Sequence, residues 1–270
     1  TTVLLAVAVP SVWAQQTVID QRGYSAFAAN AAKDPQLQRA VAGELTTQVR
    51  TLVTRSGSEV AAGIVRAIAS AYTASSVFPG LFAKANEVGH TWMFPDRLSR
   101  DENGSWVIDL APMLSDTSFQ QILDQYNIAV PQTLTVPIAS SAPEGLQPGK
   151  LRPLAVWGPW GSVGAAILTG VFALLTLAAA RSRGKALAAL GISALLVGAA
   201  GWAGLEVARR YINDALNHTS GDIRQLADVM VGHAIGSLHQ WLNLTLAAGG
   251  ILVVFGVLVA MLGGLRRRPG

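Results

Sequence analysis

The sequence predicts a membrane protein with four transmembrane helices and a small extracytoplasmic α+β domain, which is mostly helical with a β-hairpin. Three observations lead to this class. Hydrophobic residues make up 51% of the 270 residues and charged residues only 13%, a balance too apolar for an ordinary soluble protein. Long apolar runs end at clusters of Lys and Arg, and five of the seven Trp residues stand at the opposite ends of those runs. Lys and Arg favour the cytoplasmic side of a membrane, whereas Trp favours the interface.

The apolar runs define the predicted spans. Residues 154–180, 186–205 and 241–265 are each long enough to cross a hydrocarbon core of about 30 Å as a helix. Residues 1–16 are predicted to be a fourth, transmembrane anchor. Its apolar part covers only about 21 Å at 1.5 Å per residue, so we expect the anchor to continue upstream of Thr1. The alternative is a cleaved signal peptide with Trp13 and Ala14 in the cleavage site; the uncleaved anchor is preferred.

The basic clusters and the Trp residues orient the spans. The predicted protein crosses the inner (plasma) membrane four times and has both termini in the cytoplasm. Residues 17–139 then form the extracytoplasmic domain, residues 140–153 a linker, and residues 206–240 an extracytoplasmic amphipathic helical segment. The cytoplasmic loop 181–185 and the cytoplasmic tail 266–270 carry the topology-setting residues Arg181, Arg183, Lys185, Arg266, Arg267 and Arg268. The residues predicted to lie at the outer membrane interface are Trp13, Trp157, Trp160, Trp202 and Trp241.

Charge and cysteine content exclude several functions. The sequence pI is about 9.8, yet residues 17–155 contain 11 Lys and Arg against 12 Asp and Glu, a net charge of −1. The basic excess therefore belongs to the clusters beside the spans, and nucleic-acid binding is not predicted. The absence of Cys excludes disulfides, thiolate metal sites and cysteine nucleophiles.

Helices are predicted in most of the external domain. Asp34 followed by Pro35 is typical of an N-cap and first helical residue. A second helix is expected after Ser58, a third over residues 81–92, and a short amphipathic helix over residues 115–126. Apolar residues recur at helical spacing in these segments.

Strands are predicted later in the same domain. Asn103-Gly104 lies between residues 97–100 and 106–110, and Asn-Gly favours the type I′ turn of a β-hairpin. Residues 134–138 form a candidate third strand, which Pro137 assigns to a sheet edge. These strands, together with the helices, give the predicted α+β class.

Several stretches of the chain resemble a group of actinobacterial integral membrane proteins that share an anchor, an extracytoplasmic helical region with a hairpin, and further spans. The resemblance implies an actinobacterial, mycobacterial-type envelope and a general similarity to accessory subunits of envelope assemblies such as the Mce lipid transporters. It brings no catalytic residues with it. The stretches that carry it are Trp13-Ala-Gln-Gln-Thr-Val-Ile-Asp20, Tyr24, Ala31-Ala-Lys-Asp-Pro-Gln-Leu-Gln38, Ala42-Gly-Glu-Leu-Thr-Thr-Gln-Val49 and Val107-Ile-Asp109-Leu-Ala-Pro112.

Candidate catalytic or metal-binding residues are few. His233 and His239 are six residues apart, which places them on different faces of a helix and predicts no metal site. His90 is expected to have a capping or interface role rather than a catalytic one. Carboxylates around the expected hairpin could perform acid–base chemistry, although a solvated turn is the preferred interpretation; they are Asp96, Asp101, Glu102 and Asp109. No cofactor, metal or catalytic residue is predicted.

The functional prediction follows from the small residues of the third span. Its candidate packing or partner interface consists of Ala194, Gly198, Gly201 and Gly204, which let another helix approach closely. That helix could belong to this chain or to another. No charged residue lies inside a predicted span, which argues against an ion-coupled transporter.

We therefore expect a non-catalytic accessory or scaffold subunit of an actinobacterial cell-envelope membrane complex, in lipid transport. The alternative is a membrane-bound envelope enzyme that uses the extracytoplasmic carboxylates. The expected partners are other membrane protein subunits and the lipid bilayer, and a homo-oligomer is left open. The amphipathic segment 206–240 is expected to pack against the external domain.

Overall fold

A computed structural model describes residues 1–55, 61–94, 107–109, 135–137, 151–217 and 221–265. These residues are almost entirely helical. A five-residue π-helical segment, Gln15–Ile19, follows the first helix directly. The described helices are α1 (Thr2–Ala14), α2 (Gln21–Ala31), α3 (Pro35–Arg55), α4 (Ala62–Thr73), α5 (Phe78–Met93), α6 (Arg152–Ala179), α7 (Arg183–Leu216) and α8 (Gly221–Leu265); the strands are β1 (Val107–Asp109) and β2 (Thr135–Pro137).

The predicted α+β class is wrong, because the described residues outside the spans are almost all helical. β1 and β2 have three residues each and pair antiparallel, with Ile108 opposite Val136. A pair this short cannot form a sheet layer with its own core. Among the described residues β1 pairs with β2, and the expected β-hairpin is not shown. Its Asn-Gly turn, residues 97–100 and the expected helix 115–126 lie outside the described residues.

The chain divides into two compact units. The first, called the span unit, comprises Thr1–Gln16, Trp157–Asn217 and Gly232–Gly270; the second, called the helical unit, comprises Thr17–Val156 and His218–Val231. Both units contain parts of the chain that are distant in sequence. Tertiary contacts, and not chain order, therefore define them.

The helical unit has its own hydrophobic core, to which α2, α3, α4 and α5 contribute. Phe78 is fully buried and lies at its centre, with ring centroids 5.9 Å from Tyr72 and 5.6 Å from Phe82. Such aromatic pairs add about 0.5–1.5 kcal/mol beyond the burial of their area. Small residues of α2 and side chains of α3 complete the core, namely Ala28, Ala31, Ala32, Leu37 and Val41.

Side-chain caps fix the starts of two of these helices. The Asp34 carboxylate accepts a 2.7 Å hydrogen bond from the Gln36 backbone N–H, and Pro35 is the first residue of α3. The predicted N-cap is thereby confirmed. Asp20 caps α2 in the same way and accepts from the Gly23 N–H at 2.8 Å. Helix α2 was not predicted from the sequence. Its apolar residues are mostly Ala, so the difference in hydrophobicity between its two faces is small.

Four described helical stretches are long and apolar enough to cross a membrane, which indicates a membrane-associated protein. The first runs over Thr2–Ile19, because the π-helical segment prolongs α1 to 18 residues. At 1.5 Å per residue this stretch covers about 27 Å, more than the apolar run alone. The other three are α6, α7 and the Gly221–Leu262 part of α8.

The stretch predicted as a separate amphipathic segment, residues 206–240, is divided between two long helices. Its first part ends α7, and its second part begins the 45-residue helix α8. Leu226, Val229 and Met230 of α8 pack against the core of the helical unit. This is the docking that the amphipathic pattern predicts for these residues.

Candidate functional site

Helices α7 and α8 touch through their backbones at glycines. A Cβ added to Gly191 would lie 2.6 Å from the Gly249 carbonyl oxygen, and one added to Gly249 would lie 2.9 Å from the Gly191 carbonyl oxygen. A Cβ on Gly256 would likewise lie 2.7 Å from the carbonyl oxygen of Gly184. Residue numbers rise along α7 as they fall along α8, so the two helices are antiparallel. Only glycine permits this separation at these positions.

Three residues of the predicted packing stripe face α8 of the same chain. Ala194 is only 6% exposed. A Cβ on Gly198 would lie 2.5 Å from Leu246 Cγ, and a Cβ on Gly201 would meet the side chain of Leu242. Gly204, in contrast, has no described atom within 4 Å of the position of a Cβ. The stripe therefore serves internal packing along most of its length and borders open space at Gly204.

The glycines of the backbone contacts, namely Gly184, Gly191, Gly249 and Gly256, were not identified from the sequence. Gly184, Gly191 and Gly198 are spaced by seven residues, and Gly249 and Gly256 repeat the same spacing on α8. A seven-residue repeat keeps one face of a helix along a neighbour that crosses at a small angle. This repeat is the signal that could have identified the α7–α8 contact.

Helix α1 packs beside these two helices. The Thr2 hydroxyl donates a 2.9 Å hydrogen bond to the Ser193 hydroxyl of α7, and the Trp13 indole N–H donates to the Ser237 hydroxyl of α8 at 3.2 Å. The first residues of α1 therefore lie beside the first half of α7, and the last residues of α1 lie beside the middle of α8. Helices α1 and α7 thus run in the same direction and α8 runs in the opposite one.

An apolar cavity of about 360 Å³ lies among α1, α7 and α8, and we identify it as the candidate functional site. Ala6 and Pro10 line it from α1, and Ala200, Gly204 and Ala208 line it from α7. The three α7 residues are four apart and so lie on one face of the helix. Their small side chains leave the space that larger residues would fill. All of the lining residues are Ala, Gly, Val, Leu or Pro.

A polar cluster adjoins residues that line the cavity. The Trp202 indole stacks on the His239 ring with centroids 3.7 Å apart and planes inclined by 17°, and its N–H donates to Asn243 Oδ1 at 3.2 Å. Leu238 and Leu242, which line the cavity, alternate in sequence with His239 and Asn243. From the sequence, His239 was interpreted only as a possible metal ligand. Its four-residue spacing from Asn243 could have indicated a shared helix face.

The remaining predicted interface and topology residues take no part in this cavity. Trp157 and Trp160 of α6 are strongly exposed, and Trp241 of α8 is half-buried. Arg181, Arg183 and Lys185 are exposed at the turn between α6 and α7. The triplet Arg266, Arg267 and Arg268 lies outside the described residues.

The alternative catalytic site of carboxylates lies almost wholly outside the described residues, which do not include Asp96, Asp101 or Glu102. Asp109 is described only as the last residue of β1. Within the described part of the chain, no group of three or more His, Asp or Glu residues could hold a metal ion.

Helix α6 contributes little to the packing of the span unit. Ser162 is its one buried residue, whereas Trp160 is 77% and Leu174 is 67% exposed. A Cβ added to Gly161, Gly164 or Gly170 would have no described atom within 4 Å. Helix α6 therefore carries small residues like those of the α7–α8 contact, but they touch no other helix among the described residues.

A second polar group is buried in the helical unit. His90 is 4% exposed, and its Nε2 lies 3.0 Å from the Val18 carbonyl oxygen in the π-helical segment. A carbonyl only accepts, so the Nε2–H tautomer donates this bond. The ring lies 4.4 Å from that of Phe94 and 5.1 Å from that of Tyr24, as centroid distances.

Tyr24 completes this group, because its hydroxyl donates to Asn86 Oδ1 at 3.2 Å. Burial raises the pKa of Tyr24 above its usual value. The arrangement joins α2, α5 and the π-helical segment, which gives His90 the interface role that the sequence indicated. Its contacts are those of a structural group and offer no nucleophile or paired base.

Comparisons with known proteins add no further information about this site. No protein-family model, curated protein or solved structure matches the chain. The interpretation of the cavity and of α6 therefore depends on their geometry and chemistry alone.

Proposed function

We propose that this protein is a non-catalytic accessory subunit of a membrane complex of the cell envelope, with lipid transport as the process served. Helix α6 is proposed to bind the partner subunit. The observation that carries the proposal is a contrast between the glycines of α6 and α7: a Cβ added to Gly161, Gly164 or Gly170 of α6 would meet no described atom within 4 Å, whereas one added to Gly184 or Gly191 of α7 would meet the backbone of α8. The actinobacterial origin suggested by the sequence resemblance stays part of the proposal.

The residue pattern of α6 supports a helix as its partner. Gly161 and Ala165 are four residues apart, as are Ala166 and Gly170. Small residues at this spacing let two helices approach closely in a membrane, where van der Waals packing and hydrogen bonds drive association. Lipid alone would not require glycines in that pattern.

The helical unit supports the non-catalytic part of the proposal. Its buried polar groups engage one another: His90 donates to Val18, and Tyr24 donates to Asn86. Polar groups satisfied in this way hold helices in register. A unit of this kind suits a scaffold that presents a fixed surface.

Site-specific photo-crosslinking in the native membrane tests the proposal. A photoreactive amino acid replaces Leu168, which lies on the α6 face that carries Gly161 and Gly164, or Leu258 of α8 as the matched control. Both leucines are about half exposed. We expect protein adducts from position 168 and only lipid adducts from position 258. A second, differently tagged copy of the chain distinguishes a homo-oligomer from a different subunit.

A further pair of variants tests the role of the small residues. Gly164→Leu should abolish the adduct from position 168, because the larger side chain blocks close approach. Gly250→Leu on α8 is the control, since a Cβ there also meets no atom within 4 Å. Identical adducts from positions 168 and 258, or lipid adducts alone from both, would refute the proposal.

A further inference from the structure

We infer that the cavity among α1, α7 and α8 binds one hydrocarbon chain of an anionic membrane phospholipid, with the headgroup beside Arg209 and Arg210. The inference rests on the proposed function in assigning these helices to a membrane and in naming a lipid, but it requires no partner subunit. It identifies a ligand that this chain holds by itself.

The lining determines the chemistry of the ligand. Because every lining residue is apolar, the cavity offers water no side chain to hydrogen-bond with, and an apolar lining favours apolar molecules over water. A dry cavity of about 150 Å³ accepts benzene, and this one is about 360 Å³. Its volume therefore suits an aliphatic chain rather than a small gas or ring.

The shape of the cavity suits a linear ligand. On α7 its lining extends from Val197 to Ala208, which is about 16 Å along the helix axis at 1.5 Å per residue. The small residues Ala200, Gly204 and Ala208 make one continuous wall along this length. A flexible alkyl chain can follow such a wall, whereas a bulky ring system would meet Leu238 and Leu242 of α8.

Pro10 adds a feature to the opposite wall. Proline has no backbone N–H, so it cannot give the carbonyl of Ala6 its usual hydrogen bond within α1. Both residues line the cavity. Pro10 and Ala6 therefore form part of the α1 wall of the cavity.

The charged residues at one end of the cavity indicate an anionic headgroup. Ala208 lines the cavity, and the next two residues, Arg209 and Arg210, are exposed. Guanidinium groups bind phosphate oxygens in bidentate fashion.

Native mass spectrometry of the purified protein in detergent tests the inference. The protein is stripped of lipid and then mixed with either dioleoyl phosphatidylglycerol or dioleoyl phosphatidylcholine. We expect one retained phosphatidylglycerol per chain. Gly204→Leu should reduce its occupancy at least tenfold, because a Cβ there meets no described atom within 4 Å and the rest of the new side chain takes up space in the cavity. Gly250→Leu on α8 is the matched control, since a Cβ there also meets no described atom within 4 Å and Gly250 does not line the cavity, and it should retain the lipid.

Two further measurements test the headgroup preference and the position of the acyl chain. Arg209→Gln combined with Arg210→Gln should remove the preference for phosphatidylglycerol over phosphatidylcholine while chain binding persists. A photoactivatable phosphatidylglycerol with a diazirine in its acyl chain should label residues 1–10 of the wild type. Ala208→Phe replaces Gly204→Leu if that variant does not elute and melt as a folded protein.

Equal retention by the wild type and the cavity-filling variant would overturn the inference. So would acyl-chain labels that fall on α6 and not on α1. Equal binding of the two lipids by the wild type would refute the anionic headgroup. Since no partner is present in these experiments, their failure leaves the crosslinking test of α6 unaffected.

Discussion

Replacing Gly191 by alanine should destabilise the span unit, whereas the same replacement at Gly204 should be nearly neutral. A Cβ at Gly191 would lie 2.6 Å from the Gly249 carbonyl oxygen and 2.7 Å from the Val253 nitrogen. Both are backbone atoms, so neither can rotate away. Ordinary contact begins near 3.4 Å, and the helices must therefore part by about 0.8 Å. A gap of that size forfeits a quarter to a half of each affected dispersion contact.

The expected magnitude follows from this geometry. Overpacking of a tight contact costs about 1–3 kcal/mol, so the free energy of unfolding should fall by that amount for Gly191→Ala. Gly204→Ala places its methyl group in open space and should change the same quantity by less than about 0.5 kcal/mol. Both variants add one methyl group to α7, which makes them a matched pair.

The assay is reversible unfolding of the protein in mixed detergent micelles, with denaturing detergent as the variable and Trp fluorescence as the signal. Helices largely persist in denaturing detergent, so the measurement reports the loss of tertiary packing and is little affected by helix propensity. Equal shifts for the two variants, or a larger shift for Gly204→Ala, would refute the glycine-mediated contact of α7 with α8.

Three further predictions concern the helical unit. Gly43→Leu should lower the melting temperature, because the Asp222 carboxylate lies where the new side chain begins, with Cγ 2.5 Å from the Cβ position; no change in calorimetry would contradict this contact. The folded-state pKa of Tyr24 is raised by burial, so the unfolded state loses its proton first and stability should fall as pH rises above about 10. Absorbance titration against Tyr24→Phe measures this, and an early-titrating Tyr24 would disprove it. His90→Phe keeps an aromatic ring but leaves the Val18 carbonyl without its donor, which should cost about 1–3 kcal/mol in thermal unfolding; an unchanged free energy would show that this hydrogen bond is dispensable.

The helical part of the fold was predictable where local chemistry decides it. Asp34 and Pro35 predict the start of α3, because an N-cap needs only a side-chain oxygen that accepts from a backbone N–H two or three residues later. The α+β class failed because Asn-Gly is an equally local signal, and it says nothing about which segments share a core. That core is made by Phe78, Tyr72 and their neighbours, residues that are close only after folding.

The candidate site was predictable only in part for the same reason. The sequence shows the small residues of the third span, but it does not show which of them pack against α8 and which line the cavity. Gly198 and Gly201 pack on α8, Gly201 also lines the cavity with α1, and Gly204 borders that cavity without contacting α8 at its Cβ position. Which face meets which helix depends on how α1 lies against α7, and residues 1–16 carry no pattern that specifies it.

The sequence alone determined that the chain contains apolar helices of membrane length, because hydropathy and length are summed over consecutive residues. It also determined the positions of their basic and aromatic flanks. Only the tertiary structure decided that α7 touches α8 through glycine backbones, that α6 remains uncovered among the described residues, and that a cavity lies beside Gly204. These features depend on the distances between helices far apart in sequence, and such distances are determined by packing rather than by local composition.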